Sequence, residues 1–386
     1  MKLTVDSTLL SRVCSAAAKN INSKVALPIL ECFLIETGGD SITVVASDNS
    51  NMSRYHLEES VTVEQGGGER FCISSSKLLS ILGALPQQPI TIETAGRSAT
   101  IKWNMGQGHA TLPIESADEF PSATMPTANE STMHVVCLQN IMNDVAFAVG
   151  DDELRPIMSS TYFDYAGEKL VCVGSDGHRL VKEVVAEVEA GEKLPFALPR
   201  MCNKIVDSFT KEVRRTNGEA MVTITWDDKK VAFSAEGHTV SFVLCEGRYP
   251  NYNSVIPPHS AMSADVNREA LIGALRRTMV FANKTTSLIK LQFTEKELTV
   301  SASDIDYSVS SDERVPASMT GVECLTIGVK GTFLLDILTH FYTEEIHIEG
   351  TDHSKALVFR GIYTEDQEVE DRLMLLMPMM LDQIEN

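Results

Sequence analysis

The sequence predicts an α+β protein: three tandem copies of one unit, each with two helices against several antiparallel strands. Three observations lead there. A strand ending in a Ser-Asp turn occurs at Thr43 to Asp48, Val171 to Asp176 and Thr299 to Asp304, and both intervals between the aspartates are 128 residues. Other landmarks keep step: Pro28-Ile29 and Pro156-Ile157 are 128 apart, and Phe120-Pro121 and Tyr249-Pro250 are 129 apart. Three such periods take up almost all of the 386 residues.

In each copy a first strand leads to a helix with apolar i, i+1, i+4 spacing. The positions are Leu9, Leu10 and Val13, then Ile141, Met142 and Val145, then Leu271, Ile272 and Leu275. Ser7, Asn140 and Asn267 are the N-cap candidates, each to within a few residues. Alternating strands follow, such as Phe33 to Ile35 with Ile42 to Val45 around the turn Gly38-Gly39-Asp40. Second helices are expected around residues 77–82, 204–209 and 333–338, again one period apart. Further strand pairs are Ile90 to Glu93 with Thr100 to Trp103, and Met221 to Trp226 with Lys230 to Ser234. Polar, Pro-bearing stretches at 121–132 and 250–262 mark the joins, giving domains at 1–126, 127–256 and 257–386.

With 33 Lys and Arg against 53 Asp and Glu, the formal charge is −20; 43% hydrophobic residues fit a folded globular chain, not a disordered one. The longest apolar run, Leu373 to Leu381, is broken by Pro378 and is too short to cross a bilayer. Met1 to Asp6 reads as a strand, not a signal peptide. Eight scattered cysteines without a CxxC pair predict reduced, mostly buried thiols in the cytosol rather than a disulfide frame or a zinc ribbon.

The charge is unevenly spread. The predicted helices are net basic, with Arg12, Lys19 and Lys24 in the first and clusters at Arg200 to Arg215 and Arg268 to Lys284. Such cations often just line a wet face. They would also suit helices whose polar faces converge on a polyanion, making phosphate contacts that position without reading sequence. Enzyme readings are weak. Asp176 and His178 lack a nucleophile motif, His347, Asp352 and His353 lack metal-ligand spacing, and Gly66-Gly67-Gly68 lacks the Lys-Ser/Thr of a phosphate cradle. No cofactor or metal is expected.

Two motifs sharpen the picture: Ser175-Asp176-Gly177-His178-Arg179-Leu180 and Met377-Pro378-Met379. With Leu27-Pro28-Ile29-Leu30 and Gly247-Arg248-Tyr249-Pro250, they make the chain, from Met1 to about Leu381, resemble the beta subunit of bacterial DNA polymerase III, the sliding clamp family. The resemblance implies a non-catalytic processivity factor, a head-to-tail homodimer whose six domains close a ring around duplex DNA. It implies as partners the replicative polymerase catalytic subunit, an ATP-driven clamp loader and other proteins of replication and repair carrying a clamp-binding motif. It also implies a cytoplasmic, nucleoid-associated location and no membrane partner. Partner peptides would dock on Met158, Ser175, Gly177, His178, Arg179, Leu180, Pro250, Val255, Met377, Pro378, Met379 and Leu381. Lys24, Arg200, Lys204 and Lys284 would face DNA, and Val280 and Phe281 would stand at the subunit contact. Asp152 would repel phosphate, Met380 stands where a basic residue is common, and Asp382 to Asn386 extend past the usual end. Asn104 to Gln107 does not carry the basic pattern expected at the subunit contact.

The repeats offer an internal control. Asp48, Asp176 and Asp304 occur in every copy, which points to a shared turn; Gly177-His178-Arg179-Leu180 belongs to one copy only, so the fold does not require it. The apolar tail reads on its own residues as a last core strand, with alternate side chains left as a rim; the resemblance makes that rim a partner surface. The competing reading is a non-catalytic repeat scaffold that binds proteins only, which leaves the basic helices unexplained.

Overall fold

Asp48, Asp176 and Asp304 do the same work in each copy. Asp48 Oδ1 accepts from the N–H groups of Ser50 (3.0 Å) and Asn51 (2.7 Å). Asp176 Oδ1 accepts from those of His178 and Arg179, both 2.9 Å, and Asp304 Oδ1 from that of Asp306 at 3.1 Å. In this computed structural model the described residues are all except 22–26, 123, 153, 166–168, 186–187, 189–192, 365–370 and 382–386. Among them are six α-helices, two per repeat: α1 Ser7–Ala18, α2 Ser75–Ala84, α3 Val135–Asp144, α4 Arg200–Thr216, α5 Arg268–Thr278 and α6 Gly331–Thr339.

Asn267 caps α5 as predicted, its Oδ1 accepting from Ala270 N at 2.9 Å. The α1 cap falls one residue before Ser7, within the expected few residues, and Asn140 needs correction. Asp6 caps α1, accepting from Thr8 N (2.8 Å) and Leu9 N (3.0 Å), while Ser7 is buried and its hydroxyl donates to Pro86 O at 2.9 Å. Asn140 lies inside α3. At α1 the side chain of Ser7 is turned to Pro86 O, so the residue before it takes the cap.

The chain forms two compact units, Met1–Asn143 with Glu187–Glu246, and Asp144–Ala186 with Gly247–Asn386. The middle repeat is shared between them because sheets continue across repeat boundaries. In the first unit, strand Met52–Leu57 pairs with His238–Val243 (Arg54 opposite Thr239), which joins first-repeat strands to second-repeat strands. In the second unit, Arg179–Val185 pairs with Asp371–Leu376, joining the second repeat to the third. Apolar side chains such as Phe33, Trp226, Phe233, Phe293 and Phe359 fill the interior; the Trp226 indole donates to Leu194 O at 2.7 Å. None of the eight cysteines is joined in a disulfide, and five are buried. Burial pushes Cys32 up to about 11 and Cys72 to about 12, which removes them as thiolate nucleophiles.

The helix cations are less available than the sequence suggests. In the first unit Arg12 Nε donates to Glu212 Oε2 at 2.8 Å, Arg215 also pairs with Glu212, and Lys211 Nζ reaches Asp207 Oδ2 at 2.7 Å. Lys19 donates to Ser208 Oγ and Arg214 to Gln139 Oε1. In the second unit Arg277 pairs with Glu313 at 2.5 Å, and Arg268 Nε donates to Thr343 O at 2.8 Å. Much of the positive charge read from the helices is therefore met by the protein's own carboxylates and polar groups.

His238 is buried, and its Nδ1 accepts from His56 N at 3.1 Å, an acceptor role open only to the neutral ring. Burial, then the charges of His56 and Arg12, depress its pKa from 6.5 to about 4. The unfolded chain therefore binds more protons than the folded one between those values, so stability is full above pH 6.5 and falls as pH drops toward 4. Up to about 3 kcal/mol is at stake. Urea titrations at pH 7 and pH 5 should show wild type losing more stability than His238→Gln; equal losses in the two would rule the assignment out.

Candidate docking site

The C-terminal strand Asp371–Leu376 lies between Arg179–Val185 and Leu357–Ile362, with Leu375 opposite both Leu180 and Val358. Every residue from Arg372 to Leu376 is buried. The expected alternation of buried and exposed side chains is thus corrected: both faces are covered, and the rim begins only at Met377, 36% exposed, and ends with Met380 at 94%. Pro378, Met379 and Leu381 are half-buried. Backbone bonds hold this rim down, Met377 N donating to His178 O at 2.8 Å and Met379 N to Gly328 O at 2.7 Å. Glycine at 328 is needed for that approach, since a Cβ there would stand 2.7 Å from Met379 O and 2.9 Å from Leu381 Cδ2.

Leu180, Tyr249, Val358, Leu373 and Leu375 form one apolar cluster, with Ile157, Tyr162 and Tyr252 packed against it. Tyr162 stacks on Tyr249 with ring centroids 4.3 Å apart, and Tyr252 meets Tyr162 edge-on at 6.4 Å. The Tyr252 hydroxyl donates to Asp164 Oδ2 at 2.9 Å; burial and that carboxylate raise its pKa well above the ordinary phenol value. The Tyr249 hydroxyl is buried with no hydrogen-bond partner among the described residues.

The remaining sequence-predicted residues border this cluster. Met158 closes the short turn Pro156–Met158, next to Ile157. Pro250 is exposed directly after Tyr249, and Val255 is exposed at the end of the turn Tyr252–Val255. Ser175 is buried, its hydroxyl donating to Arg179 O at 2.8 Å and accepting from Gly177 N at 3.1 Å. Gly177 has φ +84°, in the region glycine favours, and with His178 it is exposed at the tip.

Arg179 stands apart. Its guanidinium donates to Asp176 Oδ2 at 3.0 Å, to Asp336 Oδ2 at 2.5 Å and to Phe147 O at 3.2 Å. It also lies over the rings of Phe333 (4.5 Å) and Phe147 (5.3 Å). It ties the turn to α6 instead of offering an open charge. Its partners Phe147, Phe333 and Asp336, and the aromatic trio Tyr162, Tyr249 and Tyr252, escape sequence reasoning. The nearest signal was Tyr249 and Tyr252 in and just after the Gly247-Arg248-Tyr249-Pro250 motif.

The Asp176 carboxylate bonds to backbone N–H groups and to Arg179, so it is committed to the turn and does not pair with the His178 ring. His347 pairs with Asp265 at 2.5 Å. Of the cations expected to face DNA, Arg200, Lys204 and Lys284 are exposed, while Lys24 lies outside the described residues, as do Asp382 to Asn386. Asp152 accepts from Arg155 Nε at 2.8 Å, which lowers its pKa and offsets the repulsion expected of it. Val280 and Phe281 are exposed on the turn Met279–Phe281, and in the turn Asn104–Gly106 Met105 is fully exposed.

Comparison with known proteins assigns the chain. Profiles of the DNA polymerase III beta subunit match along its length: the N-terminal domain at 1–126, the central domain at 132–251 and the C-terminal domain at 253–379. The beta sliding clamp of Treponema pallidum is 27% identical over 381 residues, 95% of this chain and 97% of that one. That of Micrococcus luteus is 24% identical, covering 83% of this chain and 100% of its own. Among solved structures, a Pseudomonas aeruginosa sliding clamp bound to griselimycin superposes with TM-score 0.89 at 21% identity, covering 99% of this chain and 100% of that one. The Thermotoga maritima beta subunit gives 0.86 at 24%, covering 98% and 99%. The three repeats and their order along almost the whole chain make it a member of the DNA polymerase III beta subunit family, the non-catalytic DNA sliding clamps that confer processivity in replication.

Proposed function

We propose that two copies of this clamp, each with domains at 1–126, 127–256 and 257–386, close head-to-tail into a ring that holds duplex DNA by enclosure rather than adhesion. One observation carries the reading. A chain of net charge −20, with Arg12, Lys211, Arg215 and Arg277 paired to its own carboxylates, cannot grip a polyanion by bulk attraction. Arg200, Lys204 and Lys284, with Lys24, supply the few weak, interchangeable phosphate contacts that permit sliding. Val280 and Phe281 supply apolar area at the subunit contact. Polymerase and repair partners dock on the tail and the Leu180 cluster, and a separate ATP-driven loader opens the ring in the cytoplasm, at the nucleoid. An enzyme held there inherits the enclosure as a raised effective concentration.

Solution mass tests the ring: light scattering should give twice 42.3 kDa, and a concentration-independent monomer would defeat it. Gly328→Val probes the docking surface. Its side chain forces the tail away from strand Cys324–Lys330, at an overpacking cost of about 1–3 kcal/mol. Docking of a fluorescent peptide carrying the polymerase's clamp-binding segment should weaken about tenfold or more; wild-type affinity would show that the tail's seat is irrelevant to partners.

A further inference from the structure

We infer that the buried triad Asp144–Arg372–Glu183 sets the register of the C-terminal strand, and so decides where Met377 and Met379 stand. The inference rests on the docking role proposed for that tail. Arg372 is 1% exposed and Asp144 2%. Arg372 donates from Nη2 to Asp144 Oδ2 at 2.8 Å, from Nε to Glu183 Oε2 at 3.1 Å and from Nη1 to His340 O at 3.0 Å. Asp144 Oδ1 also accepts from the Tyr342 hydroxyl at 2.7 Å. The guanidinium therefore joins the last residue of α3, the strand Arg179–Val185 and the turn after α6 to the second residue of the C-terminal strand.

The strand needs such a marker. Register in a sheet is normally set by alternation, because a one-residue slip turns every core side chain to the wrong face. Leu373, Met374, Leu375 and Leu376 are all apolar and all buried, so each would be nearly as well placed one position along. The backbone bonds from Met377 N and Met379 N can be made by any residue with an N–H; Pro378 is the one other residue of the run that a slip would feel. Arg372 discriminates sharply. In the observed pairing it lies directly opposite Glu183; a slip of one residue puts it opposite Lys182 or Val184. Either leaves a buried charge without its partners, which is strongly unfavourable although the intact network adds little net stability. A slip would also carry Met377 about 3.4 Å along and turn its side chain over.

The test replaces the triad by apolar residues of similar size, Asp144→Leu, Glu183→Leu and Arg372→Met together, in the full-length protein. Two readouts are taken: methyl NMR of carbon-13-labelled methionines, and affinity for the fluorescent polymerase peptide. Wild type should give one signal each for Met374, Met377 and Met379. The triple variant should melt cooperatively, yet show several sets of tail signals and bind the peptide about tenfold or more weakly. Single tail signals overturn the register assignment, whether peptide binding survives or is lost. Several tail signals with unchanged affinity uphold the register assignment and remove the docking role of the tail instead. Should the triple variant not fold, Arg372→Lys, which keeps the charge but not the fork, is read by the same two measurements with the same outcomes deciding.

Discussion

Loaded on a nicked circular plasmid, this clamp should stay bound through gel filtration, and cutting the circle once should release it. Enclosure predicts the difference, because a closed path leaves no end to slide from. Adhesion predicts none, because the number of phosphate contacts is the same on both forms. The helix cations favour enclosure: Arg12, Lys211, Arg215 and Arg277 are each within ion-pair distance of the protein's own carboxylates. Few counterions are then released on binding, so loss from linear DNA should be fast and only weakly salt-dependent, whereas affinity through six to ten phosphate contacts would fall by about 10³–10⁵ between 50 and 200 mM salt. Equal loss from circle and linear forms, or a steep salt dependence on the intact circle, would contradict retention by topology.

Replacing Met377, Pro378 and Met379 together by alanine should abolish peptide docking while leaving the fold intact. Met377 is exposed and its two successors half-buried, so truncation removes little of what the folded state buries. The bound peptide, in contrast, loses two apolar side chains it would cover. At about 1.5–3 kcal/mol each, that is on the order of a hundredfold or more in Kd. Fluorescence anisotropy with the polymerase peptide and a thermal melt of the same sample separate the two effects. Unchanged affinity with an unchanged melt would show that partners dock elsewhere.

The repeat and the turn aspartates were legible because they are local: a Ser-Asp turn is closed by a carboxylate on N–H groups two and three residues away. Asn267 was legible for the same reason, its acceptor and donor being three residues apart. The cap of α1 is Asp6, one residue before Ser7, because the Ser7 hydroxyl is taken by Pro86 O, a partner 79 residues away that no local pattern reveals. The open charge of the helices was only partly legible, for a different reason. A count of Lys and Arg along a helix cannot show that Glu212, 200 residues after Arg12, takes up Arg12. Arg179 was assigned to the peptide surface by its motif, yet its guanidinium is held by Asp336 and Phe147, residues that no local pattern links to it.

From its order of residues alone, the chain determined its three-fold internal repetition, its α+β make-up, the turns that punctuate it and the apolar tail. Each of these depends on neighbours within a few positions or on a period that can be counted. Tertiary structure decided which charges remain open, how the sheets run on from one repeat to the next, and that the tail is covered on both faces up to Leu376. Those outcomes turn on side chains brought together from up to 228 residues apart, as Asp144 and Arg372 are, and pairing over such distances becomes defined only when the chain has packed.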